Sequence, residues 1–328
     1  MNRFENRVVL VTGGCRNTGL EIVNLFLREG ARVFFCGTSA ASVAAGEAEL
    51  ARRARADYRG IVCDVGKSAD VAAMMDAIDA EAGHLDVVVS NAAHLGQGEN
   101  AAPDVPVADF LEILNVNLGG TLRVVQEAAK RFFLRQESNA ATGQRGVVVC
   151  IGSNTAHHVQ RRHVSYCTSK GGLESLVQCL ALDLGPRGVR VNLLEPGYIW
   201  TKRWNDLPEE VRRKRRANTL TGRESTGENV AEAVAFLASD AAPTFQGSIL
   251  KMDSGATVAL YPPYAEDSVP LPEGWKEDMP RSLDLECTRS GGATRISRWR
   301  GSWAAKPWCR GCRSAPATES GTKSSSQR

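Results

Sequence analysis

Apolar residues along this chain follow two rhythms. Short runs rich in valine, isoleucine and leucine are apolar at nearly every position: "RVVLVTG", "RVFFCG", "RGIVCDV", "LDVVVSNAA", "RGVVVCIGS", "VRVNLLEPG" and "GSILKMD". Between them lie stretches with apolar residues at i, i+3, i+4 and i+7, such as "VADFLEILNVNLGGTLRVVQEAAKRFFL" and "GGLESLVQCLALDLG". Continuous apolar strands alternating with amphipathic helices predict an α/β fold, a doubly wound parallel sheet buried on both faces. One domain is expected from residue 1 to about residue 260. Ligands of such sheets bind beyond the carboxyl ends of the strands, so the residues just after each strand carry the interest. Past Leu260 the rhythm stops. "YPPYAEDSVPLPEGWKEDMP" is proline-rich, and the last stretch is rich in Arg, Ser and Gly with no period. Residues 261–328 are expected to be a disordered tail.

With 328 residues, 43% of them apolar, the chain can bury a large core. No apolar run reaches the ~18 residues that span a bilayer, so no membrane partner is expected. The N-terminus lacks the apolar segment and cleavage site of a secretory signal. The nine cysteines are odd in number and scattered, which points to reduced thiols and a cytoplasmic setting. From Cys287 onward nine Lys or Arg stand against one acid, Glu319, so a net charge of +3 hides a mildly acidic body and a basic tail. Trp299, Trp303 and Trp308 among those arginines mimic a nucleic-acid-binding arm. The simpler reading is an unstructured extension with no selected role, and nucleic acid is not the expected partner. Cys309 and Cys312 lack a second pair, with only Cys287 near, so no metal is expected there.

The chemistry begins at "VTGGCRNTGLE", residues 11–21, between an apolar run and a helical pattern. It reads as a phosphate-binding turn that opens a helix. Further signals sit at strand ends: "NAA" at 91–93, "NVNLGG" at 115–120, "IGS" at 151–153, "YCTSK" at 166–170 and "PGYIWT" at 196–201. In this order they resemble the short-chain dehydrogenase/reductase family, over residues 6 to about 258. A "MDSG" stands near the end, where the family usually has Asp-Gly-Gly.

Tyr166 and Lys170 are four apart on a predicted helix and share one face. A free phenol, with pKa about 10, is a poor proton carrier at neutral pH. A positive charge ~4 Å away in an effective dielectric of ~20 is worth about 4 kcal/mol. At about 1.4 kcal/mol per pKa unit, Lys170 is expected to lower the phenol by up to roughly 3 units and make it an acid/base. The resemblance adds Ser153 as the hydroxyl that bonds and polarises a substrate carbonyl. It also adds Asn117, rather than the nearby Asn115, as the anchor of a water in a proton relay through the lysine.

For the cofactor, the resemblance maps onto Thr12, Gly13 and the last glycine, Gly19. The family's middle glycine is Asn17 here. Glycine serves that position by positive φ and close approach to a pyrophosphate. Asparagine is among the side chains most tolerant of the left-handed region, so the turn is expected to survive. The helix N-terminus after Thr18 still offers its amides to a diphosphate. No acid ends the second strand: Gly37 stands there, followed by Thr38 and Ser39. With Arg16 in the loop, this favours NADPH/NADP+ and leaves NADH/NAD+ open. The resemblance also implies Asp64 and Val65 beside the adenine, Asn91 and Ala92 along the cofactor, and Pro196, Gly197, Ile199 and Thr201 near the nicotinamide, with Tyr166 and Lys170 reaching the ribose.

The substrate side is thinner. His157, His158 and His163 with Arg161 and Arg162 either meet an acidic substrate or form a surface loop. A metal finds no carboxylate or cysteine partner at a suggestive spacing. Tyr198, Trp200 and Trp204 offer stacking walls where the family has a mobile lid. "RRKRR" at 212–216 imitates a nucleic-acid patch, but is expected to be the solvated face of a lid helix. The expected protein is thus an NADP(H)-dependent ketone reductase acting on a small carbonyl or alcohol. The family suggests a homotetramer or dimer packed through helices that begin near Val107 and Val164. Two alternatives remain: an NAD-dependent alcohol dehydrogenase using the same residues, and a non-catalytic dinucleotide sensor.

Overall fold

The structure is a computed structural model that describes residues 2–53, 55–96, 100–139, 142–201 and 204–258, and the backbone of 285–290 and 293–299. The chain divides into two compact units, Met1–Glu266 and Asp267–Arg328.

In the first unit the valine-rich runs form seven strands: β1 (Val8–Val11), β2 (Arg32–Gly37), β3 (Tyr58–Val62), β4 (Val87–Ser90), β5 (Gly146–Ile151), β6 (Val189–Pro196) and β7 (Ile249–Met252). All pair in parallel, in the order β3-β2-β1-β4-β5-β6-β7. The strands β1, β4, β5 and β6 are buried at every position, which is why β1, β5 and most of β4 are continuously apolar instead of alternating, while β6 buries Arg190, Asn192 and Glu195 among its apolar residues. Successive side chains still point to opposite faces. Val8, Leu10, Phe34 and Val88 enter one core, whereas Val9, Val11, Phe35 and Val89 enter the other.

Helices α1 (Asn17–Arg28), α2 (Ala40–Arg52) and α8 (Gly227–Ala238) cover one face. Helices α3 (Ser68–Ala82), α5 (Thr121–Ala128) and α6 (Val164–Leu184) cover the other. The long periodic stretch from Val107 is one helical run with two wide turns. It reads α4 (Val107–Leu114), a π-helical segment Asn115–Gly120, α5, and a second π-helical segment Ala129–Phe133. At the first wide turn Gly120 lies so close to Val65 that a Cβ would come within 2.7 Å of its side chain. The first π segment carries Asn117, which it buries. Helix α7 (Glu209–Ala217) stands between β6 and α8 in sequence.

The strand order reverses between β1 and β4, which opens a crevice at their carboxyl ends. In the second unit, β8 (Leu285–Ser290) and β9 (Ala293–Trp299) pair antiparallel, Leu285 opposite Trp299. The rest of the 261–328 segment, and with it the expectation of disorder, lies outside the described residues. No helix among the described residues is long and apolar enough to cross a membrane.

Phe34 is fully buried at the centre of the β2 row. Phe34→Ala should destabilise the protein by about 3–5 kcal/mol, read as a shifted urea midpoint with little change of slope.

Candidate active site

The crevice is built by reciprocal hydrogen bonds between the ends of β1 and β4. The Thr12 hydroxyl accepts the backbone amides of Asn91 and Ala92, both at 3.0 Å. In return the Asn91 side-chain amide donates to the carbonyls of Thr12 (2.9 Å) and Gly13 (3.1 Å). Gly13 turns left-handed with φ 65°. A Cβ on Gly13 would come within 2.9 Å of the Ala92 Cα, and one on Gly19 would run into the Gly13 carbonyl oxygen. These two glycines are therefore required by space. Asn17 takes φ 48°, so the asparagine adopts the conformation for which the family keeps a glycine. Ser254 does the same near β7, with φ 57° in "MDSG".

Helix α1 starts at this loop with no side chain capping its first turn and no acid in it. Uncapped amides at a helix N-terminus, above a glycine cradle that a side chain would fill, suit a diphosphate. Arg16 and Asn17 are exposed beside it. Gly37 ends β2 against Cys15 and Ser42. Thr38 and Ser39 are exposed, and the Ser39 hydroxyl accepts the Ser42 amide as the cap of α2. Asp64 is half-buried, its carboxylate accepting the Gly66 amide at 3.0 Å, and Val65 is buried next to it. Gly197 follows Pro196 and packs against Asp253, whose carboxylate accepts the amides of Gly255 and Thr257. Ile199 bridges to Ser225, and Thr201 receives the Trp204 amide on its carbonyl.

Deeper in the crevice, Ser153 leaves β5 and Tyr166 and Lys170 share α6. Ser153 stands beside the Tyr166 phenol and favours its ionised form. The Ser153 oxygen is held by the Thr155 amide at 3.2 Å and the Thr155 hydroxyl at 2.9 Å. Lys170 is 4% exposed; its ammonium donates to the Ile151 carbonyl at 2.7 Å and lies 5.6 Å from the centre of the Tyr166 ring. Asn117, only 2% exposed, is fully engaged. Its Oδ1 accepts the His94 amide at 2.7 Å, and its Nδ2 donates to the His94 carbonyl at 3.1 Å and Ser169 Oγ at 2.8 Å. Asn115 instead lies exposed, bonded to Arg123 and Gly66.

One expectation is corrected. Lys170 does not hold the phenol down in this geometry. Burial pushes Tyr166 up to about 12, partly offset by Ser153. Burial also pushes Lys170 down to about 8. Desolvation disfavours both charged forms and outweighs an ammonium that is turned toward a backbone carbonyl.

Ser169 is a residue that sequence reasoning missed. Fully buried, it accepts from Asn117 and donates to the Tyr166 carbonyl at 2.7 Å, so it ties the π segment to the helix turn carrying the phenol. Its place three residues after Tyr166 was the available signal.

The "RRKRR" run does not present a free basic face. Arg212, Arg213 and Arg216 pair with Glu209, Glu210 and Glu224 at 2.8 Å. Arg215 lies over Tyr198 and Trp204, at 5.7 and 5.2 Å, and Arg216 over Trp200 at 6.0 Å. The helix thus seats an aromatic cluster in which Trp204 is buried. Of the three histidines before Tyr166, His157 faces Glu174 and Glu195, while His163 bonds the Arg161 carbonyl.

Residues 15–257 match a family model described as enoyl-(acyl carrier protein) reductase. The chain is 34% identical over 262 residues to the D-threitol dehydrogenase of Mycolicibacterium smegmatis, covering 78% of this chain and 95% of that protein. It is 36% identical over 259 residues to the cis-4-hydroxycyclohexanecarboxylate dehydrogenase of Sinomonas cyclohexanicum, with 77% and 98% covered. A crystal structure of a short chain dehydrogenase from Burkholderia cenocepacia in complex with NADP superposes with a TM-score of 0.68 at 28% identity, covering 77% of this chain and 99% of that one.

The left-handed Asn17 yields a direct test. A β-branched side chain there costs roughly 1–2 kcal/mol of backbone strain. Asn17→Val should therefore lower the thermal midpoint and weaken NADPH binding about tenfold, whereas Asn17→Gly should keep both, by fluorescence titration and thermal unfolding.

Proposed function

We propose that this chain, which belongs to the short-chain dehydrogenase/reductase family, is a ketone reductase that uses NADPH. It is an oxidoreductase that binds a nicotinamide dinucleotide and acts on a small molecule. The observation that carries the proposal is the placing of the buried Lys170 5.6 Å from the centre of the Tyr166 ring, with Ser153 beside the phenol.

The residues assigned to the cofactor are Thr12, Gly13, Arg16, Asn17, Thr18 and Gly19 for the phosphates, Thr38 and Ser39 for the 2′-phosphate, and Asp64, Val65, Asn91 and Ala92 along the adenosine side. Pro196, Gly197, Ile199 and Thr201, with Tyr166 and Lys170, are assigned to the nicotinamide riboside. When bound, the nicotinamide supplies or takes up the hydride.

The protein's share is position and protons. Ser153 Oγ, oriented by Thr155, donates to the substrate oxygen and stabilises charge developing there. With its pKa pushed up to about 12, the Tyr166 phenol keeps its proton at neutral pH and is ready to donate it to that oxygen. Lys170 holds a position next to the ring. We assign Asn117 the relay of the family, and its side chain also braces the turn at His94 against α6. The aromatic cluster on α7 forms an apolar wall that excludes water from the substrate.

NADP(H) is favoured by the absence of an acid at the end of β2 and by the exposed Arg16, Thr38 and Ser39 beside it. The alternative, NAD-dependent alcohol oxidation, uses the same residues, and the similar proteins from M. smegmatis and S. cyclohexanicum are named dehydrogenases of alcohols. We infer a homo-oligomer, tetramer or dimer, from the exposed apolar side chains of Val107 and Leu111 on α4 and Val164 on α6. A cytoplasmic setting accords with six free cysteines among the described residues.

Tyr166→Phe should lower turnover by at least ~10²-fold while NADPH still binds; near-parental rates would end this assignment. In the parent, reduction should hold level below about pH 8 and decline above it, as Lys170 loses its proton. Oxidation should climb with pH, because the phenol must first give its proton away. Binding should favour NADPH over NADH, and Arg16→Glu should erase that preference by repelling the 2′-phosphate; equal affinities in the parent would point to the alternative.

A further inference from the structure

His157, Glu174 and Glu195 come from three separate elements: the turn after Ser153, helix α6 and the end of strand β6. His157 Nε2 lies 3.1 Å from Glu195 Oε2 and 3.2 Å from Glu174 Oε1. One ligand atom from each residue falls within 4.8 Å of the other two. A single N–H donates well to one oxygen, not equally to two, and the carboxylates crowd each other behind it. Glu195 is 0% exposed, and its Oε1 has no hydrogen-bond partner among the described residues. Burying an unpartnered carboxylate oxygen beside a second carboxylate costs heavily unless a proton or a cation joins them.

We propose that His157, Glu174 and Glu195 bind a divalent cation of the zinc type. One imidazole and two carboxylates form the three-ligand set of an open zinc site, leaving a fourth position for water. Bonds of about 2.0 Å in a tetrahedral arrangement place ligand atoms roughly 3.3 Å apart, which the two histidine distances approach. The side chain of His157 is 34% exposed, so an ion has a route in from solvent.

The bound ion would pin three catalytic elements together. His157 follows Ser153 by four residues, Glu174 lies one helical turn beyond Lys170, and Glu195 directly precedes Pro196. The ion holds these elements in place and takes no part in the reaction. The proposal stands independently of which cofactor or substrate the enzyme uses.

The test uses the full-length protein stripped with a chelator and titrated with Zn²⁺ by calorimetry, with Co²⁺ as a spectroscopic probe. One equivalent of Zn²⁺ should bind and raise the thermal midpoint, and His157→Ala should weaken binding more than about a hundredfold, beyond the cost of losing an outer-shell partner. If His157→Ala fails to fold, Glu174→Gln, which keeps the shape and removes the charge, carries the test. Bound Co²⁺ should lack the thiolate absorption that Cys309 and Cys312 would give, and Cys309→Ser/Cys312→Ser should bind as the parent does. No zinc binding by the parent overturns the proposal. Binding untouched by the His157 and Glu174 changes, or lost in the cysteine variant, overturns it equally.

Discussion

The molecule turns on the exchange of hydrogen bonds where β1 and β4 end. Thr12 accepts two amides from the β4 turn, and Asn91 returns two donors to the β1 turn. These bonds replace the ladder that the strands lose as they diverge, so buried backbone groups at the mouth of the crevice stay satisfied. Everything attached to those turns inherits their position. The glycine cradle rests on Ala92 and Asn91, and the Asn91 backbone leads through His94 to Asn117. The residues we assign to a dinucleotide and those we assign to proton transfer thereby share one rigid seam.

Burial sets the electrostatics of the second half of that seam. Removing Tyr166 and Lys170 from water opposes charge on each, so the phenol rises while the lysine falls. The result is an acid that is fully loaded near neutrality and a lysine whose charge is easily given up. That state underlies our proposal that the site delivers a proton to a carbonyl oxygen. The serine beside the phenol is fixed in turn by Thr155, a residue whose hydroxyl would otherwise be an orphan in a buried turn.

On the substrate side, α7 shows how a run of five basic residues can be absorbed into a fold. Acids at 209, 210 and 224 hold three of the arginines, while Arg215 and Arg216 spread their guanidinium planes over Tyr198, Trp204 and Trp200. The aromatic wall and the helix therefore brace each other, and a change on either side reaches the other.

Strands such as "VVLV" and "GVVVCI" were legible in the chain because a strand buried on both faces is apolar at every position, a local property. The ordered motifs at the strand ends and the left-handed tolerance of Asn17 were legible for a similar reason: each depends on residue type and near neighbours. The sequence alone thus determined the doubly wound sheet, the family and the loop. Only the tertiary structure decided which charges meet. Lys170 turns to Ile151, Ser169 links Asn117 to Tyr166, and His157 finds Glu174 and Glu195 at separations of 17 and 38 residues. No spacing encodes such meetings. They arise when strands and helices remote in sequence are packed within a few ångströms, and the same packing removes the water that would have screened them.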